Sequence, residues 1–191
     1  MNTVEKECII EFEEKKSKFI GYIKPISTKK EAEDFIKSIK IKHNNATHNV
    51  PVYRVIDNGK EYFKFDDDGE PSGTAGKPMA EIINLKEIYN VVIVATRYFG
   101  GIKLGAGGLV RNYAKTAKLA IEEAKIIEYI EKVEIIIDFP YNISGEIDRI
   151  IISNDIEILE KTYDARITFK IRVDKVKESL FNNIKDVIVI K

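Results

Sequence analysis

Residues 97–113 read RYFGGIKLGAGGLVRNY: three cations, Arg97, Lys103 and Arg111, and five glycines, Gly100, Gly101, Gly105, Gly107 and Gly108, with no acid. Widened to residues 91–121, the segment adds Lys115 and Lys118 and still has no Asp or Glu, in a chain whose 31 basic and 31 acidic residues cancel. The chemistry this composition supports is anion binding. Glycines let the backbone approach a ligand closely, a helix starting after them offers unpaired N–H groups, and guanidinium and ammonium donors suit phosphate oxygens. The alternative is a set of tight turns and a close helix–strand crossing with the cations merely solvated.

A second cluster lies upstream in DDDGEPSGTAGKP, with Asp66, Asp67, Asp68 and Glu70 followed by the hydroxyls of Ser72 and Thr74. Hard carboxylate oxygens can hold Mg²⁺ or pair with the basic segment across a cleft, but Gly69 arrives too early for an EF-hand loop, and a solvated acidic turn is the default. No metal site is expected. Known nucleotide motifs fail position by position. A dinucleotide fingerprint from Gly105 needs a third glycine where Val110 stands, and a phosphate loop ending at Gly76-Lys77 needs Pro71 to be Gly and Pro78 to be Ser or Thr. EPSGTAG is not a nucleophile elbow, because Glu70 holds its first glycine position, so capping is the role expected of Ser72 and Thr74. His43 and His48, five apart, suit surface or hydrogen-bonding roles, and Cys8 has no basic partner in sequence. No nucleophile–base pair emerges; no catalytic residue and no cofactor are expected.

The elements that position these residues follow from periodicity. CIIEF and FIGYIKPI alternate as two strands, and TKKEAEDFIKSIKIKH has helical spacing with Thr28 as its cap. VPVYRVI and EYFKF flank Asn58-Gly59 as a tight hairpin, and Pro78 suits the first turn of a helix through MAEII. VVIVATRYF reads as a strand buried on both faces. Residues 109–125 read as the longest helix, with Val110, Tyr113, Ala114, Ala117 and Ile121 on one apolar stripe. Beyond residue 127 the order is β, α, β, β, α, β, the succession of a ferredoxin-like split βαβ unit. The expected fold class is therefore α+β, with domains at 1–128 and 129–191.

The 191 residues, 44% of them apolar, suffice for buried cores, and zero net charge excludes diffuse polycationic binding of nucleic acid. The single cysteine excludes an internal disulfide framework. Neither a signal peptide nor an apolar run long enough to span a bilayer is evident, so a soluble, cytoplasmic protein with no membrane partner is expected.

Taken together, DDGEPSGTAGKPM at 67–79 and VATRYFGGIKLGAGGLVRNY at 94–113 closely resemble the IMPACT family, including its bacterial YigZ-type members. ATHNVPVYRV resembles the family's Ala-x-His-Asn segment and extends the match to His48 and Asn49. Where members often carry Cys-Tyr-Ala-Tyr after that Asn, this chain has Val50, Pro51, Val52 and Tyr53, which leaves no thiol there. The resemblance implies an N-terminal domain like the second domain of ribosomal protein S5 and a C-terminal ferredoxin-like domain of the elongation factor G domain V kind. Eukaryotic members are implicated in controlling translation through the amino-acid starvation pathway, competing for a scaffold that activates a stress kinase. They carry an additional N-terminal partner-binding domain, whereas this chain starts with the shared one, so the fold and the glycine-basic loop carry over better than the pathway.

The reading that joins these observations is a non-catalytic regulator or accessory factor of translation. Its phosphate-binding residues would be Arg97, Gly100, Gly101, Lys103, Gly105, Gly107, Gly108 and Arg111, with Lys115 nearby and RNA or the ribosome as partner. His48, Asp67, Asp68, Glu70, Ser72 and Thr74 are expected to line the same cleft, and Tyr98 or Phe99 to stack on a base. The C-terminal span, slightly acidic, suits a protein partner. Two alternatives stand beside this: an enzyme acting on a small phosphorylated metabolite, and a protein-interaction adaptor that needs no anion.

Overall fold

The structure, a computed structural model, describes residues 1–190, so residue 191, the end of the second expected domain, lies outside the described residues. The chain divides into two compact units, the first Met1–Tyr129 and the second beginning at Ile130. Both mix helices with antiparallel sheet, the α+β class.

The first unit runs β1 (Asn2–Val4), β2 (Cys8–Glu14), β3 (Ser17–Pro25), α1 (Lys29–Lys42), β4 (His48–Asp57), β5 (Lys60–Phe65), α2 (Gly76–Leu85), β6 (Val91–Tyr98), α3 (Ala106–Ala124) and β7 (Ile126–Glu128). Five strands form one antiparallel sheet in the order β2-β3-β6-β4-β5. Its centre is β6, whose residues from Val91 to Ala95 are wholly buried. Alternation explains the two layers that cover it. Val91, Ile93 and Ala95 point to a core made by Met79 and Ile83 of α2 and by Tyr113, Ala117 and Ile121 of α3. Val92 and Val94 point the other way, onto Ala32, Phe35 and Ile39 of α1.

Local chemistry sets the boundaries. Thr28 caps α1, its hydroxyl accepting the Glu31 N–H at 3.1 Å. Asn58 and Gly59 both have positive φ, 50° and 75°, as a tight hairpin between β4 and β5 requires. The helix expected at 109–125 begins three residues earlier, at Ala106, because Gly105 with φ of 73° turns the chain into it. Its buried stripe is Leu109, Tyr113, Ala117, Ala120 and Ile121; Val110 is 38% exposed, one position off that face. Two short strands lack a sequence pattern: β1 pairs antiparallel with β7.

The second unit comprises β8 (Lys132–Phe139), α4 (Ser144–Ser153), β9 (Glu157–Tyr163), β10 (Ile167–Asp174), a 3-10 segment Lys175–Phe181 and β11 (Ile188–Ile190). The strands lie in the order β11-β8-β10-β9, as a split βαβ arrangement demands. Where the sequence suggests a second helix the structure has the 3-10 segment. Phe181 is its one buried side chain, so no apolar stripe holds a longer α-helix in place. The inward faces of β8 and β10 pack on Ile147, Ile151 and Phe181. Their outward faces are laced by ion pairs, Glu134 with both Lys170 and Arg172, and Arg172 with Glu157.

Candidate functional site

Strand register builds the site. Phe12 stands opposite Phe19, Phe19 opposite Arg97, and Arg97 opposite His48, so four residues from β2, β3, β6 and β4 form one row across the sheet. Parity puts Arg97 on the same face as Val91, Ile93 and Ala95, under α3. Phe12 and Phe19 stack at 5.2 Å, Tyr113 of α3 meets Phe19 edge-on at 5.5 Å, and the Arg97 guanidinium lies 5.7 Å from the Phe19 ring.

At the end of this row Glu70 enters from the acidic loop. Its Oε1 accepts from Arg97 Nη1 and from the Tyr113 hydroxyl, each at 2.7 Å, and both members of the ion pair are buried. Burial, and then the negative charge of Glu70, push the Tyr113 phenol far up, so its proton stays in place as a donor. Arg97 is therefore not free to neutralise an external phosphate. It is the internal counter-charge of Glu70, and it also approaches the Ser17 hydroxyl at 3.4 Å. A buried pair joins the acidic and glycine-rich segments, and of the expected cleft residues His48 and Glu70 line the cavity beside it, whereas Asp67, Asp68, Ser72 and Thr74 are not in its lining.

His48 Nδ1 donates to the Asp68 carbonyl at 2.8 Å, which turns Nε2 toward Glu70 Oε2, 3.7 Å away. Asp68 and Asp67 have structural duties. The Asp68 carboxylate accepts from Lys40 at 2.5 Å and from the Asn49 N–H at 2.6 Å. Asp67 accepts the N–H groups of Gly73, Ala75 and Gly76 at 2.7, 3.1 and 2.8 Å, closing the loop onto the start of α2. Burial pushes the Asp67 carboxyl up, but these three donors outweigh it and hold it below the ordinary carboxylate range. Thr74 is buried and donates to the Pro71 carbonyl at 2.6 Å, while Ser72 is exposed. No cluster of three or more metal-ligating side chains occurs among the described residues.

Gly100 and Gly105 have structural causes, as does Gly101 with its φ of 88°. A Cβ on Gly100 would overlap the Lys16 carbonyl oxygen in the β2–β3 turn, and Gly105 takes the positive φ that starts α3. Gly107 differs: a Cβ there meets only Arg111 Nη1 at 3.5 Å, so the guanidinium of Arg111 folds back over the first turn of the helix.

Two cavities flank that turn. One, of about 390 Å³, is lined by His48, Glu70, Arg97, Phe99, Lys103, Gly105 and Leu109 among others. The other, of about 240 Å³, is lined by Glu14, Lys15, Gly108, Arg111, Asn112 and Lys115. Arg97 and Arg111 thus serve different cavities. Lys115 lies 4.3 Å above the Phe12 ring and Lys118 is 4.0 Å from Glu122. Tyr98, half-buried, is held by His43 and Asn45; Phe99 is 44% exposed at the rim of the larger cavity.

Lys15 and Tyr113 escaped the sequence reading as site residues. Lys15, in the turn between β2 and β3, lies 96 positions before Arg111 and meets it only because α3 packs over those two strands. Tyr113 reads as plain core, and nothing in its own segment signals the carboxylate it serves.

Residues 15–121 match the family described as the Impact N-terminal domain. The chain is 37% identical over 178 residues to the IMPACT family member YvyE of Bacillus subtilis, covering 93% of this chain and 80% of that protein. A crystal structure described as that of a hypothetical protein superposes over 99% of this chain and 95% of its own, with a TM-score of 0.67 at 24% identity, a likeness of fold. The structure of the two-domain translational regulator Yih1 aligns with 64% of this chain and 46% of its own at 24% identity. Its TM-score of 0.41 is too low for a structural argument. No helix among the described residues is long and apolar enough to cross a membrane.

Proposed function

This chain belongs to the IMPACT family, and on that premise we propose that it is a non-catalytic, cytoplasmic factor of translation. In this reading it grips the phosphate groups of RNA in the groove where Lys15, Arg111 and Lys115 meet. Yih1 is a translational regulator; the extension of such a role to this chain rests on common family, not on superposition. The observation that carries the phosphate reading is the convergence of those three cations on one cavity of about 240 Å³ with a single acid, Glu14, beside the uncapped start of α3. That helix of 19 residues has no acid in its first turn and no capping side chain, so its partial positive charge adds to theirs. The second unit is assigned a protein partner instead, because Lys170, Arg172 and Arg166 on its open sheet are matched by Glu134, Glu157 and Asp138.

The test is the salt dependence of RNA binding. Each lost phosphate contact flattens the slope of log K against log salt by about 0.7 to 0.9. An Arg111→Ala, Lys115→Ala double variant is therefore expected to flatten it by about 1.5. Lys30→Ala on α1, across the sheet and paired with Asp34, should leave it unchanged. An unaltered slope in the double variant rejects the groove.

A further inference from the structure

The larger cavity has a chemistry of its own, independent of the phosphate groove. Glu70, its side chain 3% exposed, uses only Oε1 for its two hydrogen bonds. Oε2 receives no hydrogen bond from the described residues, and His48 Nε2 stands 3.7 Å from it, too far for one. Oε2 is not among the buried side-chain atoms left without a partner, so it opens onto the cavity, where a ligand can donate to it. Because His48 Nδ1 donates to the Asp68 carbonyl, Nε2 is the ring nitrogen turned toward Glu70, an acceptor when the ring carries one proton. Two acceptors 3.7 Å apart therefore line one cavity. The complement to such a pair is two adjacent hydroxyl groups, one donating to each.

The rest of the cavity narrows the ligand further. Arg97 and Lys103 against Glu70 leave an excess of one positive charge, and Gly105 and Ala106 bring in the uncapped α3 N-terminus, which adds about half a charge more. This favours a phosphate group over a neutral sugar. Phe99, half its surface open, offers a ring face at the rim, with Leu104 and Leu109 as apolar neighbours. A planar group stacks well there.

We propose that this cavity binds a single ribonucleotide: its cis-diol on Glu70 Oε2 and His48 Nε2, its phosphate at the first amides of α3 with Lys103, and its base against Phe99. Vicinal hydroxyls, a phosphate and an aromatic plane in one small ligand define that class. A free mononucleotide and the 3′-terminal nucleotide of an RNA both carry them.

Calorimetric titration of the full chain with AMP, 2′-deoxy-AMP and ribose 5-phosphate tests this. AMP is expected to bind at least about tenfold more tightly than the deoxy form, which leaves one acceptor of the cavity without a donor. Phe99→Ala should weaken AMP by about tenfold and leave ribose 5-phosphate unchanged. The Arg111→Ala, Lys115→Ala variant should bind AMP normally, which separates failure of this site from failure of the groove. A short RNA with a free 3′-hydroxyl that outcompetes AMP, and loses that advantage when 3′-phosphorylated, identifies the RNA end as the source; equal binding of both RNAs, weaker than AMP, identifies the free nucleotide. No binding of AMP to the wild type, or equal binding of AMP and its deoxy form, overturns the proposal. Since Phe99 and Lys103 are exposed, their variants test the site even if substitution of Glu70 prevents folding.

Discussion

Arg97 Nη1 donates to Glu70 Oε1 at 2.7 Å, with only 7% of the arginine side chain and 3% of the glutamate side chain exposed. The pair joins the end of β6 to the loop before α2. It converts what looks in sequence like a free cation beside a free acid into one internal contact.

Removing one partner of a buried ion pair strands the other charge, at a cost of about 3 to 5 kcal/mol. Arg97→Met is expected to destabilise the first unit by about that much, read from the urea midpoint followed by circular dichroism. Arg97→Met combined with Glu70→Leu should cost clearly less than the two single substitutions added together. An Arg97→Met protein as stable as the wild type would show the pair to be structurally idle.

His43 couples α1 to the sheet. Tyr22 donates to its Nε2 at 2.6 Å, and its Nδ1 donates to the Tyr98 hydroxyl at 2.8 Å, which in turn donates to Asn45 at 3.1 Å. Burial, reinforced by Lys42 and Lys18, holds its pKa below the ordinary 6.5. As pH falls through about 6.5 the unfolded chain takes up a proton that the folded one refuses, so stability drops. Between about pH 7 and pH 5 the wild type should lose stability more steeply than His43→Gln, measured as urea midpoints. Parallel curves would show that the ring titrates alike in both states.

Two glycines of one segment should respond in opposite directions. Gly100→Ala places its methyl on the Lys16 carbonyl and is expected to cost about 2 kcal/mol or more, since the β2–β3 turn must move. Gly107→Ala sits in the first turn of α3 with only ordinary contact to Arg111, and should be neutral or stabilise by up to about 1 kcal/mol. Thermal midpoints of the two variants decide; equal losses would mean that crowding at Lys16 is not what fixes Gly100.

The elements bearing the site are legible wherever one residue pattern decides the outcome. Thr28 announces α1, Asn58-Gly59 announces its hairpin, and the apolar run from Val91 marks the central strand. Alternation along that run even gives the side to which Arg97 points. What periodicity withholds is register: nothing local says that Phe12, Phe19, Arg97 and His48 fall in one row, because each pairing is settled by strands far apart in sequence. Charge pattern misleads for a related reason. The run from residue 91 to 121 has no acid of its own, yet the carboxylate that claims Arg97 arrives from Glu70, 27 residues earlier. The 3-10 segment near Phe181 and the ribbon of β1 with β7 lie at the opposite limit, too short for any pattern to register.

That ribbon sets a boundary condition on engineering. Asn2, Thr3 and Val4 pair with Glu128, Ile127 and Ile126, and the Tyr129 N–H donates to the Met1 carbonyl at 2.9 Å, so the first unit is hemmed shut where it begins and ends. A peptide linker joining those ends would span almost no distance, and fresh termini could be cut at Asn58-Gly59 without unpicking the row under α3. Trimming the first four residues does the reverse: it leaves β7 a bare edge at the foot of the longest helix.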